Sequence, residues 1–238
     1  MLALVGGDEF HPGNEEQDRK LVAAARPGTA FVVATAAARQ GPEQAVEHAA
    51  RWFGQLGLDL RELPVLKRTD ANSRELAEVA RAGGFFYLVG GDPGLVAQVL
   101  RGSRVWAAIF EAWRGGASLA GSSAGAMALC SHTLIRATWP NRFDRRPNEA
   151  LGVVADVAVL PHYDTFGHRW IESAQRELPD VTLLGIDERT AATWTEQGGW
   201  HAAGPGTVAV IKGSKAAQFA SGAKIAGLPT PARMLPSQ

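Results

Sequence analysis

The chain has 238 residues, 46% of them hydrophobic, and its 24 basic side chains balance 24 acidic ones. That length buries a large core without disulfide or metal staples, and zero net charge excludes a nucleic-acid partner held by bulk electrostatics. The single cysteine, Cys130, excludes an intramolecular disulfide framework and fits a reducing compartment. Residues 2–5 form an apolar run that meets glycines at once. The run has no basic leader and is too short for a signal peptide or a membrane span, so the expectation is a cytoplasmic protein without a membrane partner. Gly6-Gly7-Asp8-Glu9-Phe10 spells the signature of diguanylate cyclases. There it lies on a hairpin deep inside a larger domain. Here it follows the first strand, which predicts a turn at a strand's carboxyl end, where α/β proteins place ligand sites.

Helical patterns at 16–25, 42–56, 73–82, 95–100, 105–113 and 169–177 alternate with buried strands at 30–35, 85–89, 118–120, 153–160 and 181–186. Pro42-Glu43 suits a first helical turn, and Asn72 or Ser73 can cap the third helix. Residues 191–194 and 200–203 flank Gly198-Gly199 as a hairpin, and 207–211 form a further strand. Near-continuous apolar strands between amphipathic helices predict an α/β three-layer sandwich, a mostly parallel sheet with helices on both faces. One domain over 1–227 is expected, with an irregular tail over 228–238.

The segment Gly121-Ser122-Ser123-Ala124-Gly125 carries the most chemistry. An apolar strand leads in and a helical pattern leads out, the arrangement of the G-x-S-x-G nucleophile elbow. A serine at such a tip has an exposed hydroxyl, and the helix behind it offers N–H groups to a developing oxyanion. The same letters also suit a plain turn. Gly90-Gly91-Asp92-Pro93-Gly94 follows another strand and suits half an oxyanion hole, or a turn in which Asp92 caps the next helix.

A serine nucleophile needs a base, and the base needs an orienting acid. Of six histidines, His162 lies just past the strand at 153–160. His11 and His48 lie in polar or helical surroundings, His132 follows the elbow helix, and His201 falls in the late hairpin. His162, Asp164 and His168 match no standard zinc spacing, so no metal is expected. The carboxylates at the next strand end are Asp187 and Glu188. Cys130 reads as a packed side chain of the elbow helix. Arg136, Arg142, Arg145 and Arg146 lie between elbow and base, where they suit a substrate carboxylate or a solvated loop.

Together Gly90-Gly91-Asp92, Gly121 to Ala126, His162 and Gly185-Ile186-Asp187-Glu188-Arg189-Thr190-Ala191 resemble the serine peptidase family of dipeptidase E and cyanophycinase. The resemblance covers roughly 2–211. It implies a class I glutamine amidotransferase-like fold and a serine peptidase for short peptides, as monomer or homodimer, without a cofactor. It implies Ser123 as nucleophile, His162 as base and Glu188 as orienting acid, with oxyanion N–H groups from Gly91 and Ala124. Asp92, Arg136, Arg142 and Arg169 are the candidate substrate contacts. Cyanophycinase-like members carry Asp-Gln-His-Phe followed by closely spaced arginines. This chain has Leu160-Pro161-His162-Tyr163-Asp164, and Arg169 is the first arginine after it. Two other readings stay open. An α/β-hydrolase esterase orders its triad serine, acid, histidine, which needs His201 with Asp180, Asp187 or Glu188. A non-catalytic binding protein would keep the elbow without the activity.

Overall fold

The computed structural model describes residues 1–137 and 143–235. Strand β1 (Leu2–Val5) leads to α1 (Glu15–Ala23), β2 (Thr29–Val33), α2 (Pro42–Gln55) and β3 (Leu60–Glu62). Then come α3 (Arg68–Ala71), α4 (Arg74–Arg81), β4 (Gly83–Leu88), α5 (Pro93–Leu100), α6 (Arg104–Arg114), β5 (Ser118–Ser122) and α7 (Ala124–Leu129). The remainder is β6 (Cys130–Arg136), β7 (Arg145–Glu149), β8 (Val154–Leu160), α8 (Ile171–Glu177), β9 (Thr182–Ile186), β10 (Ala191–Thr195), β11 (Gly199–Ala203), β12 (Thr207–Lys212) and β13 (Lys215–Ala220). The α/β class is as the alternation of apolar runs implies.

The strands divide between two sheets. One has the order β11-β10-β1-β5-β4-β2-β3, and the other β13-β12-β9-β8-β6-β7. In the first, β1, β5, β4, β2 and β3 run parallel, while β10 and β11 close one edge antiparallel. Side chains alternate across this sheet, as strand geometry requires. Ala3, Val5, Val32, Phe85 and Tyr87 pack against α1 and α2 through Leu21, Trp52 and Phe53. Leu2, Leu4, Val33, Phe86 and Leu88 face the larger core, which holds α4 to α7 and extends to Val159, Leu184 and Val208 of the second sheet. Helices thus cover both faces of the parallel strands.

Caps fit the boundaries: Ser73, Asp92 and Ser103 accept from Leu76, Leu95 and Trp106 N–H groups at the starts of α4, α5 and α6. Cys130 opens β6 instead of continuing the elbow helix, and His132 lies within that strand. The cysteine is fully buried, and burial pushes its thiol well up, away from thiolate chemistry. Described residues 228–235 form no helix or strand, yet Ala232 N–H donates to the Val153 carbonyl and the Trp200 indole donates to that of Pro229. No helix among the described residues is long and apolar enough to cross a membrane.

One buried carboxyl sets a pH dependence. Asp18 of α1 accepts from the Trp52 indole at 2.8 Å, and its other oxygen has no partner among the described residues. Burial raises its pKa to about 7, helped by the charges of Glu9 and Glu15 and opposed by the Trp52 bond. The folded state therefore holds a proton that the unfolded chain has lost. Stability falls as pH rises from the ordinary aspartate range toward 7, then levels off. Asp18→Asn should remove this fall. Between pH 5 and 8 its stability relative to wild type should rise by about 1–3 kcal/mol. Urea unfolding of both proteins at the two pH values decides it, and parallel profiles would contradict the assignment.

Candidate active site

The register of β1 brings the pieces together. Val5 lies opposite Ser122 of parallel β5 and Ala191 of antiparallel β10. The loop after β1 is therefore flanked by the turn at Ser123 on one side and the segment leading into β10 on the other. In the second sheet, Leu160 lies opposite Gly185, so the segments after β8 and β9 leave side by side. Two hydrogen bonds tie them to the first sheet: His162 N–H to the Gly6 carbonyl at 2.7 Å, and Gly6 N–H to the Thr190 carbonyl at 2.9 Å.

Ser123 has φ 46° and ψ −108°, a left-handed-side conformation that costs a non-glycine residue roughly 1–3 kcal/mol. Its N–H donates to the Val5 carbonyl at 3.0 Å. The flanking glycines follow from close approach: a Cβ on Gly121 would collide with the Gly125 backbone, and one on Gly125 with the Leu88 carbonyl. This is the sharp strand-to-helix turn that the small residues predict.

His162 lies across from it, also at positive φ (48°). Its Nε2 is 3.2 Å from Ser123 Oγ, and its Nδ1 is 2.7 Å from Glu188 Oε1. The Phe166 ring stacks on the imidazole, centroids 4.9 Å apart and planes within 20°. The opposite constraint comes from Gly7, where a Cβ would overlap the ring. The imidazole is thus held by its two hydrogen-bonding neighbours, a stacked ring and a backbone that no side chain could replace. Neither member of the His162–Glu188 pair is deeply buried, with side chains 20% and 28% exposed.

The adjacent carboxylates part company. Asp187 Oδ2 accepts from Thr207 N–H at 2.7 Å and Thr207 Oγ at 2.9 Å. Glu188 faces the imidazole, its N–H donates to Asp164 at 3.0 Å, and its Oε1 also lies 3.4 Å from the Thr165 hydroxyl. His201 is on edge strand β11 opposite Thr193, away from this constellation, and His168 Nδ1–H donates to the Tyr163 carbonyl at 2.8 Å. Among the described residues, no group of three or more His, Cys, Asp or Glu is arranged to hold a metal ion.

The other candidate residues lie as follows. Gly91 has φ 138°, and Asp92 N–H donates to the Ala36 carbonyl at 2.8 Å. Ala124 is the first residue of α7. The Asp92 carboxylate caps α5. Arg136 ends β6 and, with Arg145 and Arg169, lines a cavity of about 300 Å³ whose walls are completed by Phe143, Phe166 and Trp170. Arg142 lies outside the described residues. Arg145 stacks over Trp170 at 3.8 Å and Arg169 over Phe143 at 5.0 Å. Burial, then the charge of Arg136, lowers the Arg145 pKa to about 10, so it stays cationic at neutral pH. Phe166 joins this cationic cavity to the imidazole. Sequence reasoning marked Gly7 only as part of a turn and missed Phe166 and Trp170. An aromatic four residues after the candidate base was the available signal.

The model for peptidase family S51 matches residues 2–199. A cyanophycinase of Trichormus variabilis is 27% identical over 216 residues, spanning 88% of this chain and 72% of the relative. A cyanophycinase of Geminocystis herdmanii is 24% identical over 231 residues, spanning 94% and 85%. The crystal structure of a peptidase from an acI-B1 Actinobacterium superposes with a TM-score of 0.80 at 33% identity, over 94% of this chain and 95% of that one. The chain belongs to peptidase family S51 and is a serine-type peptidase.

Proposed function

We propose that this peptidase cleaves short peptides through Ser123, His162 and Glu188. The observation that carries the reading is the continuous chain of contacts from Ser123 Oγ to His162 Nε2 and from His162 Nδ1 to Glu188. With Nδ1–H donated to Glu188, the Nε2 lone pair faces the hydroxyl. Ser123 Oγ attacks the scissile carbonyl carbon as its proton passes to Nε2. The carbonyl oxygen becomes an oxyanion, received by the N–H groups of Gly91 and Ala124. Glu188 stabilises the imidazolium that forms. The C–N bond then breaks and Nε2–H protonates the leaving amine, which yields an acyl-enzyme. A water molecule, deprotonated by His162, attacks the ester, and its collapse returns the proton to Ser123 Oγ.

For substrate, the cationic cavity beside Phe166 fits a peptide carboxylate. Guanidinium groups bind carboxylates through paired hydrogen bonds, and stacking on aromatic rings fixes their planes in advance. The test joins two measurements. A fluorophosphonate should label wild type at Ser123, and a peptide-library digest read by mass spectrometry should show cuts within short peptides. Peptides with a free carboxylate next to the cut should outcompete their carboxamide analogues by tenfold or more. A protein that neither labels nor cuts would refute the catalytic assignment. Equal cutting of acid and amide would refute the substrate class alone.

A further inference from the structure

The mechanism above makes no use of the Glu9 carboxylate. Glu9 follows Gly6-Gly7-Asp8 in the loop after β1. Its Oε1 accepts from Gly90 N–H at 2.7 Å, and its Oε2 accepts from the Ser122 hydroxyl at 2.8 Å. One side chain thus joins the turn that carries Gly91 to the residue before Ser123. The approach is tight: a Cβ on Gly90 would come within 2.9 Å of Glu9 Oε1 and 3.5 Å of the Ser123 Cβ. The loop is built for this reach. Asp8 (φ 54°) and Phe10 (φ 62°) on either side of Glu9 both take left-handed conformations that non-glycine residues avoid. Phe10 anchors the far end, its ring centroid 5.1 Å from that of Tyr87 and 6.0 Å from that of Phe53. Strain of this kind persists only where surrounding contacts over-determine it.

We propose that Glu9 is a positioning residue that sets the oxyanion donors relative to the nucleophile. The inference rests on the catalytic reading above. The Gly91 N–H is a donor on a two-glycine turn, and glycine fixes a backbone poorly. Glu9 holds the peptide before it through Gly90, and the Ala36 carbonyl holds the one after it through Asp92. The second Glu9 oxygen references that turn to β5, from which Ser123 and the Ala124 N–H follow directly. The carboxylate acts through reach and hydrogen bonding, and it touches no reacting atom.

Glu9→Ala should fold and bind substrate but lose transition-state stabilisation. Loss of a whole oxyanion donor costs about 10²–10³ in kcat, and a misplaced one should cost roughly 10². The rate of fluorophosphonate labelling should drop by a similar factor, and this readout needs no identified substrate. On a peptide that wild type cleaves, kcat should fall while KM stays within about threefold, and inhibition by the matching peptide aldehyde should weaken in step with kcat. Glu9→Gln can accept from Gly90 and donate to Ser122, so it should retain activity within about fivefold. Glu9→Asp keeps the charge but is one methylene short, so it should behave like Glu9→Ala. The Gln and Asp variants carry the test if the alanine variant does not fold. Wild-type labelling rates in Glu9→Ala, or an active Glu9→Asp beside a crippled Glu9→Gln, would overturn the proposal. A wild-type protein that does not label would overturn the catalytic reading and this inference with it.

Discussion

Ser123→Ala should leave the fold intact and lower turnover by at least ~10⁴-fold, and His162→Ala should cost about as much. In the proposed mechanism the two side chains act as one unit, since a serine hydroxyl is a poor nucleophile until a base such as Nε2, 3.2 Å away, takes its proton. The double variant should therefore be little worse than either single one. Residual activity would come from the backbone donors and from binding. Folding should survive because the Ser123 side chain does not cap α7, and alanine relieves no steric clash that the glycines on either side already avoid. Steady-state kinetics on one peptide, with thermal unfolding as the control, decides it. Full activity in Ser123→Ala would end the mechanism, and additive losses would mean separate roles for the two groups. His201→Ala is the natural comparison and should be mild. A crippled His201 variant beside an active His162→Ala would restore the serine, acid, histidine order.

The second large effect concerns the acid. Glu188→Gln preserves shape but removes the charge that stabilises the imidazolium. The serine-protease precedent for such a change is a loss of about 10⁴ in turnover. Glu188 is 28% exposed, so solvent shares the stabilisation and the expected loss is roughly 10²- to 10⁴-fold at neutral pH. Asp187→Asn should stay within about tenfold in turnover, because its carboxylate is engaged by Thr207 on β12. Its cost should appear in stability, where a charge-assisted pair of bonds becomes a weaker one. The diagnostic outcome is a split between the neighbours: Glu188→Gln slow but stable, Asp187→Asn active but easier to unfold. The reverse split would assign the wrong carboxylate.

Much of the fold was legible because buried parallel strands leave continuous apolar runs. Residues 2–5, 85–89 and 181–186 stand out on that ground, and the helices between them carry an apolar stripe. The strands that escaped notice lack this signal. Strand β7 is Arg-Arg-Pro-Asn-Glu, a polar edge strand paired with β6. Strand β13 is the exposed edge of the second sheet. Strand β6 begins where α7 ends, with Cys130 shared between them and no turn residue to mark the change. The division into two sheets was also hidden, since strands of both are equally apolar. At the site, the strand-to-helix turn at Ser123 was legible from its glycines, and the candidate base His162 from its place after a strand. Glu9 was not, because positions 9, 90 and 122 are brought together only by the packing of three strand ends.

The placement of β1 carries a consequence for how the molecule comes into being. Strand β1 is an inner strand of its sheet, and Leu2 pairs with Leu119 and Trp194, both far along the sequence. Contacts so distant in sequence require closure of long loops before they give any return, which slows folding and leaves apolar segments uncovered meanwhile. The loop that seats the imidazole and steadies the glycine turn hangs from that same strand. Before the β10 segment docks, β1 lacks one flank and the loop has no fixed platform. Assembly of the candidate site therefore belongs to the late steps of folding, after β10 has docked beside β1.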